Sequence, residues 1–352
     1  MKRLALIPLL LLFLCTGAAA ATPASASADG EGGFDMQEYL FGHVLDSYEW
    51  HITGWRGHEL SIPLPIIVFG QDGPAVFLSN KLEEGASYKG YFIPEEGPNK
   101  GKIVELDQSG NQVRPIDISI TKNVLSLMIS AALLVWLVLA CSRWYRRHDV
   151  LHEAPTGIAA LLEPVINMIN EDVIKDSVGP GYERFSPYLL TAFFFILINN
   201  LMGIIPIFPG GANVTGNIAV TLCMAVFTFI CVNLFGNRHY FKEIFWPDVP
   251  IFLKAIPIMP IIEIVGMFTK PISLMIRLFA NIFAGHVLIL SVVALIFITS
   301  AMGPVLNGSM TLISVLFGIF MDCLELLVAF IQAYVFTMLS AVYVGMAHPR
   351  EN

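Results

Sequence analysis

Three apolar stretches of about membrane-spanning length follow one another in the middle of the chain. Residues 123–141, 187–205 and 217–235 each hold about 19 mostly apolar positions, and about 20 residues of helix cross a bilayer. Between the first and the second stretch, residues 157–178 repeat apolar positions at helical spacing on one side and polar positions on the other. The pattern predicts three transmembrane helices and one amphipathic helix that lies along the membrane surface.

The last apolar region, residues 249–346, is too long for two upright transmembrane helices. Its strongest turn signals are Gly303-Pro304 and Asn307-Gly308, which predict a helical hairpin with its tip near residue 305. About 27 residues separate Arg277 from that turn, which is roughly 40 Å of helix against a hydrocarbon core of about 30 Å. The two helices of the hairpin therefore have to tilt strongly or bend.

The N-terminal residues 1–21 have the pattern of a secretory signal peptide, with a basic start, an apolar centre and small residues near the cleavage region. The alternative is an uncleaved anchor helix, and in either case the next segment starts outside the membrane. Arg143, Arg146 and Arg147 directly follow the first predicted span, and such clusters mark the cytoplasmic side. The first span therefore runs from outside to inside, and an odd number of spans places the C-terminus in the cytoplasm.

Residues 22–120 are more polar than the rest of the chain. Residues 22–35 are rich in Ala, Ser and Gly and predict a flexible linker. Residues 36–120 contain short strand-like pieces broken by Gly and Pro, which predicts a small β-containing extracytoplasmic domain. Residues 121–352 then form the membrane domain. The predicted fold class is an all-α polytopic membrane protein with about five membrane-embedded helices, an amphipathic surface helix, a long, strongly tilted C-terminal hairpin and a small β-containing N-terminal extension.

The composition agrees with a membrane protein, because 55% of the residues are apolar and only 14% are charged, against roughly a quarter in soluble domains. This hydrophobicity and a net charge of −8 exclude a disordered protein and argue against a nucleic-acid partner. Four of the five cysteines lie in or beside apolar runs beyond residue 120, and none lies in residues 30–120, so neither a disulfide framework nor a cysteine-based zinc site is supported. The sequence predicts no metal and no cofactor.

Residues 275–346 contain three charged side chains, Arg277, Asp322 and Glu325, in an otherwise uncharged and mostly apolar segment. A charge in the bilayer is costly, and such residues usually face a cavity or a partner on an ion path. The alternative is that these groups pair with one another and with neighbouring polar residues to fix helix packing. For an arginine with no nearby carboxylate in its own apolar run, the ion path is the favoured interpretation.

An antiparallel hairpin predicts two levels of polar residues, because residues at equal depth have numbers with a nearly constant sum. Arg277 then faces Gln332, and His286 faces Glu325 about 10–13 Å nearer the outside. Asn281 shares a helix side with Arg277, whereas His286 points the opposite way. His286 and Glu325 can take up and release protons, while an arginine cannot release its proton. The pattern predicts a proton path with a fixed charge barrier.

The segment KPISLMIRLFANIFAGH at residues 270–286 closely resembles the signature of ATP synthase subunit a, the stator channel of the membrane sector. Two further matches are NLMGIIP at residues 200–206 and QAYVF at residues 332–336. The resemblance covers about residues 123–347 in order. It implies a transmembrane helix, a surface helix, a short hairpin and a long tilted hairpin that cups a rotor ring.

The resemblance also implies roles for individual residues. Arg277 matches the family's essential arginine, which faces the rotor carboxylate, and Glu263 matches an acidic position on the inner access route. Many bacterial relatives carry the histidine and the acid of the outer pair in exchanged order, and Gly203 stands where some relatives carry an aspartate. The positions that match the outer half-channel and the rotor-facing side are Asn281, His286, Glu325 and Gln332.

The function implied by the resemblance is the proton-conducting stator subunit of a rotary F-type ATP synthase, a subunit without a catalytic site of its own and with two half-channels. The implied partners are the rotor ring of subunit c, the peripheral stalk subunit b, other ATP synthase subunits and the lipid bilayer. The implied location is a bacterial inner membrane, with the N-terminal domain in the periplasm. The alternative is an ion-coupled secondary transporter. A membrane-embedded enzyme is disfavoured because the sequence has no catalytic motif.

Overall fold

The computed structural model describes residues 46–55, 58–71, 73–82, 86–94, 97–107, 110–149, 152–205, 208–245, 258–299 and 304–348. The predicted signal peptide and linker lie outside the described residues, as does the start of the predicted β-containing domain up to residue 45.

The N-terminal domain consists of short antiparallel strands in three small sheets. The strands are β1 (Glu49–Trp55), β2 (His58–Pro63), β3 (Pro65–Gly70), β4 (Gly73–Leu78), β5 (Tyr91–Phe92), β6 (Val104–Leu106), β7 (Gln112–Val113) and β8 (Ile116–Asp117), with a 3-10 turn at Ser79–Lys81 after β4. β1 and β2 form a hairpin, β3 pairs with β4 and β8, and β6 pairs with β5 and β7. Alternate residues of β3 point inward, so Ile66 and Val68 are fully buried against Phe77 and Tyr91. The predicted β-containing N-terminal extension is confirmed.

The rest of the described chain is helical. The helices are α1 (Lys122–Arg147), α2 (Ile158–Asn167), a π-helical segment (Met168–Lys175), α3 (Asp176–Val178), a 3-10 turn (Tyr182–Arg184), α4 (Ser186–Ile204), α5 (Ile218–Leu234), α6 (Arg238–Phe245), α7 (Ile258–Thr299) and α8 (Pro304–Ala347). Among the described residues, α1, α4, α7 and α8 are long and apolar enough to cross a membrane, and α5 is a shorter apolar helix. The predicted class of polytopic helical protein is confirmed.

α1 begins at a capped N-terminus and continues beyond its apolar part. The Thr121 side chain accepts a hydrogen bond from the Val124 N–H, which satisfies one of the unpaired donors at the helix start. The helix ends at Arg147 rather than at residue 141, where the apolar stretch ends. The extra length is favourable because basic side chains in the last turn interact well with the negative end of the helix dipole.

The predicted amphipathic helix is present as a helical path that runs from α2 through the π-helical segment to α3. Ile169, Val173 and Ile174 are buried in the main apolar cluster. Glu171 and Lys175 form an exposed ion pair one turn apart on the other side. The division into an apolar and a polar side is therefore confirmed.

α7 and α8 form the long C-terminal hairpin, with 42 and 44 residues. Each is about 60 Å long at 1.5 Å per residue, twice the thickness of the hydrocarbon core, so a membrane-embedded hairpin has to be strongly inclined. One detail of the prediction is wrong. Asn307 and Gly308 lie inside α8, which begins at Pro304. Proline fits the first position of a helix because its missing N–H is not needed there.

The largest apolar cluster lies where α4 packs against α7 and α8. Phe193 of α4, Phe336 of α8 and Leu278 of α7 are buried at its centre. Away from this cluster, both helices of the hairpin expose large apolar side chains. They include Ile272, Ile276, Ile313, Leu316, Phe320 and Leu327.

Candidate functional site

His286 of α7 and Glu325 of α8 form a buried pair across the hairpin. The Nδ1 atom of His286 lies 2.6 Å from Oε1 of Glu325, and the two side chains are 16% and 6% exposed. The two atoms form an ion pair when the imidazole is protonated, but among the described residues neither atom has a partner with hydrogen-bond geometry. The equal depth that the hairpin register predicts for these two residues is confirmed.

Two glycines provide the space that this pair occupies. A Cβ atom at Gly285 would lie 3.2 Å from Oε1 of Glu325, which is tighter than an ordinary carbon–oxygen contact. A Cβ atom at Gly203 of α4 would lie 3.5 Å from both Cε1 and Nε2 of His286, in ordinary contact. The imidazole is therefore enclosed by α4 on one side and by the Glu325 carboxylate on the other. Gly203 therefore borders the pair directly.

A second polar contact joins the two helices nearer to Arg277. The Asn281 side-chain N–H donates to the Gln332 carbonyl oxygen at 2.8 Å, and Gln332 is only 3% exposed. The prediction that Gln332 faces Arg277 is wrong by one helical turn. The hydrogen-bonded partner is Asn281, because the register of the two helices drifts by two residues between the His286–Glu325 pair and this contact.

Arg277 is not part of this buried cluster. Its side chain is exposed, and among the described residues its guanidinium group makes no hydrogen bond and no ion pair. Its neighbours Ile272 and Ile276 are also exposed, so the charge stands on an uncovered apolar surface. Pairing within the chain accounts for His286, Glu325, Asn281 and Gln332, but not for Arg277.

Glu263 lies on α7 roughly 21 Å before Arg277 and is exposed. Its carboxylate is close enough to Tyr240 of α6 to affect it electrostatically. Burial raises the pKa of the Tyr240 hydroxyl, and the Glu263 charge adds to that rise. The structure therefore places Glu263 in a different region from His286 and Glu325.

A cavity of about 20 Å³ lies between α5, α6, α7 and α8, on the same side of Arg277 as Glu263. This volume is sufficient for one water molecule if polar groups are present to bind it. The cavity has such groups, because its polar lining residues are Thr228, Asn233, Tyr240, Lys270 and Tyr343.

Asn200 also belongs to the site, although the sequence indicated it only as the first residue of the NLMGIIP match. Its side-chain N–H donates to the Ala329 carbonyl oxygen of α8 at 3.2 Å, and its carbonyl oxygen accepts from the Thr215 hydroxyl at 2.7 Å. Asn200 thereby joins α4, α8 and the α4–α5 loop one turn from Glu325. The signal in the sequence is the polar pair Asn199-Asn200 inside an apolar span, since buried amides in a membrane need partners.

Comparison with known families gives two matches. A family model described as "ATP synthase A chain" matches residues 124–345. A second model, described as a domain of unknown function, matches residues 39–122.

Individual relatives match about two thirds of the chain. The chain is similar to ATP synthase subunit a of Chloroherpeton thalassium, with 41% identity over 248 residues, which are 68% of this chain and 70% of the relative. It is similar to ATP synthase subunit a 2 of Chlorobaculum tepidum, with 42% identity over 67% of this chain and 65% of the relative. A third relative is ATP synthase subunit a of Pelodictyon phaeoclathratiforme, with 40% identity over 67% and 68% of the two chains.

Proposed function

The chain belongs to the ATP synthase subunit a family, and we propose that it is the proton-conducting stator subunit of a rotary F-type ATP synthase. In this role the subunit provides two half-channels, one to and one from a carboxylate on the rotor ring, and couples proton flow to rotation. The proposed partners are the rotor ring of subunit c, the peripheral stalk subunit b and the other ATP synthase subunits.

The observation that carries the proposal is the exposed charge of Arg277 on an apolar surface. A guanidinium group in a bilayer is costly unless a counter-charge or a polar cavity compensates for it. Among the described residues no carboxylate pairs with Arg277. A carboxylate on a rotor ring that packs against α7 and α8 would supply the counter-charge, and the exposed apolar side chains around Arg277 suit such a partner.

Arg277 can also act as the barrier between the two half-channels. An arginine keeps its proton at any physiological pH, so it cannot pass a proton on. It attracts a deprotonated rotor carboxylate and favours the loss of that carboxylate's proton. Protons then cross the membrane only when the ring turns.

The buried pair of His286 and Glu325 is the proposed outer access site. Both groups bind and release protons, and their contact across α7 and α8 supports a joint role. Asn281 and Gln332 lie between this pair and Arg277, and the exposed Asn281 offers a polar group toward the rotor. Glu263, together with the small polar cavity beside Lys270, is proposed to lie on the inner access route.

The proposed orientation places the N-terminal β domain in the periplasm and the C-terminus in the cytoplasm of a bacterial inner membrane. It rests on the predicted signal peptide and on the basic end of α1, since positive charge collects on the cytoplasmic side.

The test compares Arg277→Ala with Arg143→Ala, a matched change at an exposed arginine near the end of α1. Both variants are assembled into the complete ATP synthase, reconstituted in vesicles and assayed for ATP-driven proton pumping. We expect Arg277→Ala to abolish pumping with assembly largely intact, and Arg143→Ala to pump like the parent. Normal coupled pumping by the Arg277→Ala complex would contradict the proposal. Proton flux through the chain without a rotor ring would favour a secondary transporter instead.

A further inference from the structure

The loop between α4 and α5, residues 208–217, is buried to an unusual degree. Ala212 and Val214 are completely buried, and Asn213 and Thr215 are 3% and 2% exposed. Connecting segments normally run over a protein surface, because their backbone polar groups need water or other partners. Other segments of the chain therefore cover this loop.

Part of the cover comes from the N-terminal β domain. Trp50 of β1 is only 2% exposed and packs in one apolar cluster with Ala212 and Val214 of the loop and with Leu127 of α1. Its ring also meets the Phe208 ring edge to face, with the centroids 5.2 Å apart. The β domain thus places the buried side chain of Trp50 directly on the α4–α5 loop.

The position of Trp50 is set by hydrogen bonds at the start of α1. The Lys122 N–H donates to the Ser47 carbonyl oxygen at 2.9 Å, and the Asn123 N–H donates to the Asp46 carboxylate at 3.0 Å. These two donors belong to the first turn of α1, where N–H groups have no partner within the helix. The chain that leads into β1 is therefore bound to the end of a membrane helix.

The covered loop reaches the His286–Glu325 pair through α4. The Thr215 hydroxyl binds Asn200, and the Gly211 N–H donates to the Met202 carbonyl oxygen at 3.0 Å. The next residue, Gly203, has the Ala212 carbonyl oxygen at 3.7 Å and the His286 ring at 3.5 Å from the position of a Cβ atom. Gly203 is thus the single residue that lies between the loop and the imidazole.

We infer that the β domain acts as a clamp, in which Trp50 holds the α4–α5 loop against α4 and thereby narrows the access of bulk water to the outer side of the His286–Glu325 pair. Trp50 is a positioning residue, since it touches the loop and not the pair. The clamp gives a role to residues 39–122, which the ATP synthase family model does not cover. The inference that Trp50 affects the His286–Glu325 pair rests on the proposed function. The inference that Trp50 holds the loop does not.

The first test measures the closure of the loop directly. Val214→Cys introduces a thiol of similar size at a completely buried position. In the complete ATP synthase, an impermeant thiol reagent is added on the side of the β domain, and labelling at position 214 is quantified by mass spectrometry. We expect labelling to be about tenfold faster or more when Trp50→Ala is added, because the loop then opens locally.

Three further variants separate the clamp from a general loss of folding. Trp50→Phe retains an aromatic ring and should label almost as slowly as the parent. Phe208→Ala removes the opposing ring from the loop and should give an intermediate rate. Trp136→Ala makes the same chemical change as Trp50→Ala at an exposed position of α1 and should have no effect. Equal labelling rates in the parent and the Trp50→Ala complex would overturn the inference, whether or not the complex conducts protons.

The second test asks whether the clamp affects the pair. Among the described residues, the titratable groups near His286 are Glu325 and, one turn along α8, Asp322, while α4 and the loop present uncharged residues to it. Rotor-dependent proton conduction is measured while the pH is varied on one side of the membrane at a time. We expect Trp50→Ala to shift the midpoint on the β-domain side by about half a pH unit or more and to leave the other side unchanged.

Faster labelling without a change of that midpoint would overturn the link between the clamp and the pair. A parent complex that conducts no protons would contradict the proposed function instead, and the labelling test would still decide whether Trp50 closes the loop.

Discussion

The Nδ1 atom of His286 lies 2.6 Å from Oε1 of Glu325, and each of these two groups has a glycine beside it. Gly203 borders the imidazole, and Gly285 borders the carboxylate. In the proposed function, the contact makes one proton-binding unit from two helices that meet through a long hairpin. The contact also limits which side chains the positions of His286, Glu325 and Gly203 can accept.

The first prediction concerns an exchange of the pair, His286→Glu with Glu325→His. Both positions have a neighbouring glycine, so there is space for an imidazole or a carboxylate on either side. We expect each single change to Ala to slow proton conduction strongly, because it leaves an unpaired polar group at depth. The exchange should retain much more conduction than the slower of the two single variants.

Conduction is measured through assembled complexes across a range of pH for the parent, both single Ala variants, the double Ala variant and the exchange. If the effects of the two Ala changes simply multiply and the exchange rescues nothing, the two residues act independently.

The second prediction concerns the space at Gly203. Gly203→Ala places a Cβ atom in ordinary contact with His286 and should conduct like the parent, because the nearest imidazole atoms are 3.5 Å away. Gly203→Leu fills the space of the imidazole and should lower conduction by roughly tenfold or more.

A double variant shows whether the effect of Gly203→Leu acts through the imidazole. In a His286→Ala background, Gly203→Leu should cause little further loss of conduction, since residues in contact are not additive. An equal further loss in that background would mean that Gly203 affects conduction by another route.

The third prediction concerns the hydrogen bond between Asn281 and Gln332. Removal of the Gln332 amide by Gln332→Leu leaves the Asn281 amide without its partner and should destabilise the α7–α8 contact by about 1 kcal/mol. The measurement is reversible unfolding of the reconstituted chain. The double variant Asn281→Leu/Gln332→Leu should cost less than the sum of the two single variants, and strict additivity would contradict the hydrogen bond.

The fourth prediction concerns pH and the C-terminal end of α8. Burial lowers the pKa of His348, the nearby Arg184 charge lowers it further, and the Val344 carbonyl oxygen opposes this. The folded chain therefore favours neutral His348. Its contribution to stability is complete above the ordinary histidine pKa of about 6.5 and is lost as the pH falls through the lowered value.

His348 also packs edge to face against Phe185, so protonation should loosen the end of α8 from the start of α4. Amide hydrogen exchange of residues 344–348, corrected for the intrinsic rate, should be faster at pH 5 than at pH 7.5. His348→Gln should remove this pH dependence. The same pH dependence in the His348→Gln variant would assign it to another group.

Several features of the fold follow from the sequence alone. The apolar stretches predict α1, α4, α5 and the long hairpin, because the cost of exposing apolar residues to water depends mainly on local composition. The pairing of His286 with Glu325 also follows, since the rise per residue is constant along both arms of a hairpin. Gln332 shows the limit of this reasoning, because a small drift in register along the two arms gives it Asn281 as its partner instead of Arg277.

The tertiary structure alone decided which elements meet around the site. Helices that are apolar on all sides carry no periodic signal that distinguishes the face toward a neighbour from the face toward lipid. The approach of Gly203 to His286 and the burial of the α4–α5 loop under Trp50 therefore have no counterpart in the hydropathy pattern. The sequence by itself determined the helices and the depth of the titratable pair, whereas close packing between segments far apart in the chain determined what encloses that pair.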